Sequence, residues 1–317
     1  MTSLIEQAAQ RLEQLRQAGV AVPEVAAPPA APGVAPAQPP RAEPAVTSRR
    51  VELKLEDLNA AGIVTPNAPR TPVADQFRVI KRPLIANAVG KGAATLKHGN
   101  LIMVTSAVAG EGKSFTSVNL AMSIAAELDH TVVLVDADVA RPSQLRMLGL
   151  PPSEGLLDVL EGKAELSDVL LRTNVDKLTI LPSGTPHAKA TELLASEGMA
   201  RLLDEMATRY PDRIIIFDSP PLLLTTESRV LASHMGQIVV VVSAGRTQQA
   251  AVQQALDTID SCPVRLLVLN KARSDSAAYG GSGYGYGYGY GYERETGGQA
   301  GGTEGEGDRP SNRPAGA

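Results

Sequence analysis

Apolar residues in this chain follow two kinds of pattern. Short unbroken runs stand at 101–105 (LIMVT), 132–136 (VVLVD), 178–182 (LTILP), 214–218 (IIIFD), 238–243 (IVVVVS) and 265–269 (RLLVL). Stretches of helical period separate them at 113–128, 191–209 and 247–260. Continuous apolar strands alternating with helices predict a parallel sheet that is covered on both faces. The fold class is therefore α/β, a mostly parallel sheet with helices on both faces, spanning residues 74–273.

The flanks read differently. Residues 1–19 predict one short amphipathic helix: Leu4, Ile5, Ala8, Leu12 and Leu15 share a face, Ser3 and Glu6 have capping-box spacing, and Gly19 ends the pattern. So short a helix is marginal alone, so it either packs on the main domain or docks a partner or second copy. Residues 20–73 are a Pro- and Ala-rich linker interrupted by a short apolar island between Val51 and Val64, to which the sequence gives no role. Residues 274–317 are Gly-rich and polar, and they predict a disordered tail.

Composition narrows the functional classes. Hydrophobic residues make up 43% of the 317, enough for a buried core. There is no Trp, and six of the seven tyrosines lie at Tyr279, Tyr284, Tyr286, Tyr288, Tyr290 and Tyr292. The core must therefore be built from Val, Ile, Leu and Ala. A net charge of −4 gives no reason to expect nucleic-acid binding. The single cysteine, Cys262, excludes an intrachain disulfide and fits a reducing compartment. No apolar run is long enough to span a bilayer, and Glu6, Gln7 and Gln10 interrupt any apolar leader. The expected location is cytoplasmic, with any membrane association supplied by a partner.

The candidate chemistry sits at strand ends. After the run ending at Thr105 comes Ala107-Val-Ala-Gly-Glu-Gly-Lys-Ser114, then a helical stretch. This is the phosphate-loop pattern G-x-x-x-x-G-K-[ST] with Ala at the first Gly. Gly110 and Gly112 allow a tight turn whose N–H groups face phosphate oxygens, and the following helix directs its positive end at the same anion. Gly110, Glu111, Gly112, Lys113, Ser114 and Phe115 are the expected nucleotide contacts. Lys113 is placed on the β- and γ-phosphates and Ser114 on Mg²⁺. A second element, Asp136-Ala-Asp138, puts two carboxylates at i and i+2 after a buried strand. A third, Ile214-Ile-Ile-Phe-Asp218-Ser-Pro-Pro221, reads as a Walker B strand. Ser114, Asp136 and Asp218 are the candidate metal holders, and Lys113, Asp136 and Asp138 the candidate catalytic residues. Asp138 is favoured for hydroxyl activation, although sequence does not separate it from Asp136. Asn270-Lys271-Ala-Arg273 begins like a guanine-reading motif, but Arg273 replaces its Asp, which favours ATP.

With these motifs the chain resembles the bacterial tyrosine kinases of exopolysaccharide production, over roughly residues 74–292. It also looks like the subgroup encoded at exosortase polysaccharide loci, through its N-terminal helix, Phe77-Arg-Val-Ile-Lys-Arg-Pro83 and Ala190-Thr-Glu-Leu-Leu-Ala-Ser196. The resemblance implies an ATP- and Mg²⁺-dependent P-loop autokinase whose substrate is its own tyrosine cluster. The implied partners are further copies of itself in a ring, a separate membrane chain-length regulator, and a tyrosine phosphatase. In place of the family's D-x-D-x-R this chain has Ala140, with Arg141 one residue later. Its self-association motif E-x-x-R-x-x-R appears as Asp75, Arg78 and Lys81, whose spacing is expected to put them on one helix side, facing either a neighbouring subunit or solvent.

The competing reading is the related ATPase switch that positions division sites and segregates plasmids. Its loop carries an extra lysine where this chain has Val108, and it has no evident use for a Gly-Tyr tail. That tail offers glycine-flanked phenols able to enter a nucleotide cleft. Each phosphate added there would bring roughly −1.5 to −2 charges. Without phosphorylation it would be only a low-complexity segment.

Overall fold

The computed structural model describes residues 49–66, 69–92, 95–209 and 212–272. The expectations for the N-terminal helix, for most of the Pro/Ala-rich linker, for Arg273 and for the six clustered tyrosines lie outside these residues. Seven strands form one sheet: β1 Leu101–Ser106, β2 Thr131–Asp136, β3 Leu171–Arg172, β4 Leu178–Leu181, β5 Arg213–Asp218, β6 Gln237–Ser243 and β7 Arg265–Asn270. Their order is β3-β4-β2-β5-β1-β6-β7. Every pair is parallel except β3 against β4.

The helices among the described residues are α1 Leu55–Ala60, α2 Pro72–Ala88, α3 Lys113–Ala125, α4 Gln144–Met147, α5 Leu156–Leu160, α6 Leu166–Val169, α7 Ala190–Leu194, α8 Glu197–Arg209, α9 Glu227–Ala232 and α10 Gln249–Asp257. One apolar cluster gathers α8 and Phe217 on one face of the sheet, and another gathers α2 and α3 on the other. Residues alternate between the two clusters along each central strand, as in Leu101 and Met103 against Ile102 and Val104. Both faces being covered explains why these strands read as unbroken apolar runs.

Helix α3 is the most enclosed helix, with every residue from Thr116 to Ala125 buried. The sheet covers one side. Part of the other is covered by the apolar island, which packs as a strap through buried Leu53, Leu58 and Ile63. Val64 N–H donates to Asn119 Oδ1 on α3 at 2.7 Å, and Leu53 exchanges two hydrogen bonds with the Asn174 side chain. The packed domain thus includes residues well before 74. Its three buried anchors recur every five residues, a spacing of neither helix nor strand.

The predicted helix 191–209 is two helices. Ser196 interrupts it, accepting from Met199 N–H and starting α8 afresh. The pair Asp75–Arg78 is exposed on α2 and ion-paired at 3.0 Å. The expectation that Lys81 shares their side is corrected by the structure. Lys81 is 4% exposed, bonds the Ser123 carbonyl and pairs with Glu127 at 2.7 Å. At 100° per residue, six residues fall about 120° short of two full turns. That rotation carries Lys81 toward the buried side, where Phe77 and Leu84 lie.

Candidate active site

The carboxyl ends of β1, β5 and β2 carry the three motifs side by side. The chain leaves β1 for β2, returns to β5 between them, and only then continues to β6 on the other side. Ligand crevices in open α/β sheets form where the strand order reverses in this way.

The phosphate loop is shaped by backbone requirements. Gly110 and Gly112 have φ of 81° and 102°, values that favour glycine. A Cβ on Gly112 would stand 2.1 Å from Asn270 Nδ2, so a larger residue there would displace the Asn270 amide. Ala107 is fully buried and joins the core cluster, so the first position of the motif needs no glycine here. Val108 packs against the same cluster. The first ladder bond of α3 is Thr116 N–H to Gly112 C=O, at 2.9 Å. The N–H groups of Lys113, Ser114 and Phe115 precede that ladder and are available to an anion.

Glu111 and Phe115 contribute differently from the sequence expectation. The Glu111 carboxylate turns inward, accepting from Val108 N–H at 2.8 Å, from Ser243 N–H at 3.1 Å and from the Thr247 hydroxyl. It pins the loop to the end of β6. The Phe115 ring packs against the strap side of the core, 3.9 Å from where a Cβ on Gly62 would lie, which leaves only its backbone for a nucleotide. Asn270 and Lys271 also hold the loop. Asn270 Nδ2 donates to Glu111 C=O at 2.8 Å and Lys271 Nζ to Gly110 C=O at 2.6 Å. In sequence terms this pair resembles only a base-recognition motif. Its role in bracing the loop depends on β7 ending beside the loop, which no local signal reports.

Around the loop the acids converge. Lys113 Nζ pairs with Asp138 Oδ2 at 2.6 Å, and both side chains are largely buried. Asp136 and Asp218 are register partners on β2 and β5. Asp136 Oδ2 accepts from Ser143 and Gln144 N–H, each at 3.1 Å. Asp218 Oδ1 accepts from the Ser117 hydroxyl at 3.3 Å, and the nearby Ser114 side chain favours the charged form of this carboxylate. The remaining oxygens, Asp136 Oδ1 and Asp218 Oδ2, are buried without a partner. Burial, then the neighbouring Asp218 charge, pushes Asp136 up to about 7. Burial raises Asp218 to about 6, with Lys113 opposing the shift.

Two adjacent buried carboxylates with unsatisfied oxygens form a site that calls for a cation. Ser114 stands beside them. Such a set fits Mg²⁺, which is held by one or two carboxylates with phosphate and water completing its shell. Among the described residues no group of three or more His, Cys, Asp or Glu side chains forms a metal cage. Lys113, Ser114, Asp136, Asp138 and Asp218 are thus together, as the motifs predict. The Arg141 side chain is exposed at the rim, while its N–H donates to Asp138 Oδ1 at 3.3 Å.

Known proteins resemble this chain in sequence and fold. A family model described as an AAA domain matches residues 99–270. The tyrosine-protein kinase YwqD of Bacillus subtilis (strain 168) is 30% identical over 221 residues, covering 69% of this chain and 90% of that protein. The tyrosine-protein kinase CpsD of Streptococcus agalactiae is 31% identical over 190 residues, covering 59% and 82%. Among solved structures, the chimerical protein CapA2B2 superposes with a TM-score of 0.54 at 25% identity, covering 67% of this chain and 97% of that one.

Proposed function

This chain belongs to the bacterial tyrosine-protein kinases, and from that premise we propose that it transfers the γ-phosphoryl group of MgATP to the tyrosines of its own C-terminal segment, Tyr279 to Tyr292. The observation that carries the reading is the pair of partnerless oxygens on Asp136 and Asp218 beside Lys113, at the mouth of a phosphate loop.

Phosphoryl transfer depends mainly on positioning and charge neutralisation. The loop N–H groups and Lys113 hold the phosphates and stabilise charge on the moving group. To reach them, Lys113 exchanges Asp138 for the nucleotide. Ser114, Asp136 and Asp218 hold Mg²⁺, which supplies charge neutralisation at the phosphates. The tyrosine oxygen forms its bond to the γ-phosphorus as the bond to the β–γ bridging oxygen breaks, and ADP departs. The phenol proton passes to a carboxylate of the Asp136–Asp138 element. The competing switch ATPase needs a cation at position 108, and the valine there is packed against the core.

The proposal extends to the cell. The kinase acts in exopolysaccharide production, held at the inner membrane by a separate chain-length regulator, and a phosphatase resets it. No described helix is long and apolar enough to cross a membrane. Unmodified tails close a ring of copies, and their phosphorylation opens it through charge repulsion. Mass spectrometry after incubation with MgATP tests the central step. Phosphate on Tyr284–Tyr292 is expected; unmodified tyrosines in protein that binds ATP would refute self-phosphorylation.

A further inference from the structure

The two edges of the sheet are finished differently. At one edge β3 has two residues, and the strap closes it. Arg172 N–H donates to Arg49 C=O at 2.9 Å, and Val51 N–H donates to Arg172 C=O at 2.8 Å. At the other edge β7 runs for six residues and, among the described residues, pairs only with β6. Folded proteins blunt or cover long apolar edge strands, because such strands recruit other chains.

One face of β7 is also bare. Leu267 and Leu269 are 57% and 65% exposed. Their register partners on β6 are Val240 and Val242, which face the cluster that includes Ala255 of α10. Helix α10 therefore lies on this side of the sheet, over β6 and short of β7. On the opposite side Leu266 and Val268 pack against the cluster of α2 and α3. Two leucines that a parallel sheet would bury thus stand in water where the helical layer ends. Neighbouring helices pack about 8–10 Å apart, roughly two strand spacings. One further helix beside α10 would cover both leucines.

The sequence supplies such a helix. Within residues 3–16, Leu4, Ile5, Ala8, Leu12 and Leu15 form one apolar stripe. At about 100° per residue, Arg11 borders this stripe on one side, and Glu6 and Glu13 border it on the other. Laid on β7 with Arg11 toward α10, the stripe meets the leucines, and the exposed Asp257 of α10 offers Arg11 a carboxylate. Glu6 and Glu13 then face solvent.

Reach and area decide whose helix it is. Residues 20–48 join the stripe to Arg49, which sits at the β3 edge. A Pro-rich chain of that length extends to roughly 90 Å. The sheet is about 30 Å wide, so the segment reaches β7 of its own chain. Two leucines fall far short of the roughly 800 Å² per partner that separate chains bury in a stable interface. A tethered segment needs less area, because a short flexible link holds it at a roughly millimolar effective concentration.

We infer that residues 3–16 dock as a helix on the bare face of β7 in the same chain, with their apolar stripe against Leu267 and Leu269. The docked helix shields the edge from other chains. It also covers the strand whose end braces the phosphate loop through Asn270 and Lys271.

The test uses the full chain with benzoylphenylalanine in place of Ala9, at the border of the stripe, in an equal mixture of isotopically heavy and normal copies. Irradiation should link position 9 to residues 265–270 within single copies. The double variant Leu267→Asp/Leu269→Asp changes exposed positions only. It should lower the yield of that product roughly fivefold or more, because docking would bury carboxylates without partners. An unchanged yield in the folded double variant would overturn the inference. Links confined to other surfaces, or no link at all, would do the same. Links that join heavy to normal copies would assign the face to a second copy and overturn docking within one chain. If the double variant does not fold, the map of links in the otherwise unchanged chain decides.

Discussion

The phosphate loop and helix α2 both carry family motifs with a substitution, and they respond to it in opposite ways. In the loop, Ala107 replaces a glycine and the geometry is kept, because that residue points into the core and the turn is made by Gly110 and Gly112. On α2, Lys81 keeps the charge sign of its motif position, yet its side chain is inside, tied to Glu127. A motif that works through backbone N–H groups is determined by the few residues that shape the turn. A motif that works through side chains on a helix depends on what covers the helix, and that is decided far away in the sequence.

The largest expected effect breaks the loop side of this contrast. Lys113→Met should lower tyrosine phosphorylation by on the order of 10²–10³-fold or more, because it removes the ammonium that the loop directs at the phosphates. Phosphotyrosine signal within a few-fold of the wild type would mean that the acids and the loop do not serve one nucleotide.

A second change separates what the acids do for catalysis from what they cost the fold. The ordinary value for Asp136 is 3.8, and in the folded protein it is about 7. Between these values the folded state keeps a proton that the unfolded chain has lost. Stability of the ligand-free protein therefore falls as pH rises from about 4 to about 7 and is flat above. Asp218 adds the same sign over the window from 3.8 to about 6. Asp136→Asn should remove much of that slope. At pH 8 it should raise the melting midpoint by at least roughly 2–4 °C, the response of a domain this size to ~1 kcal/mol, while phosphorylation is lost. An unchanged or lower midpoint at pH 8 would show that Asp136 is not held at a cost.

What the sequence revealed follows the same division. Five of the six longer strands are legible because burial on both faces leaves a dense apolar run; β7 shows the same apolar run although every second residue of it is exposed. The loop and its acids are legible because each motif ends its own strand, β1, β2 or β5, and a parallel sheet brings those ends to one edge. The strap is not, since Leu53, Leu58 and Ile63 follow no period and acquire meaning only against α3. Helices α4, α5, α6 and α9 span only four to six residues each, too short to show a period. Strand β3 has two residues and exists because Arg172 also bonds Arg49 and Val51 in the strap. A cleft beside Asp136 joins residues 142–153 to 183–186, and nothing local announces that meeting.

On α2 the comparison sharpens with two alanine substitutions three residues apart. Lys81→Ala leaves Glu127 and the Ser123 carbonyl without their ammonium, at a cost of roughly 1–3 kcal/mol. Glu127 sits below its usual range because Lys81 bonds it, so its value should return upward in the same variant. Arg78→Ala touches only exposed groups and should stay within about 0.5 kcal/mol. Thermal melts of the two decide it. Equal midpoints would put Lys81 back on the outer face.

The smallest effect tests the other half. Ala107→Gly restores the family's glycine at a site where a methyl group already sits in the core. The backbone there is not left-handed, so the new glycine relieves no strain. Removing one buried methyl should cost about 1 kcal/mol, and MgATP affinity should stay within roughly twofold, below 0.5 kcal/mol. A tenfold gain in affinity would mean that Ala107 crowds the phosphates after all. The loop would then owe its shape to a side chain, as the outer face of α2 does, and the distinction between the two motifs would fail.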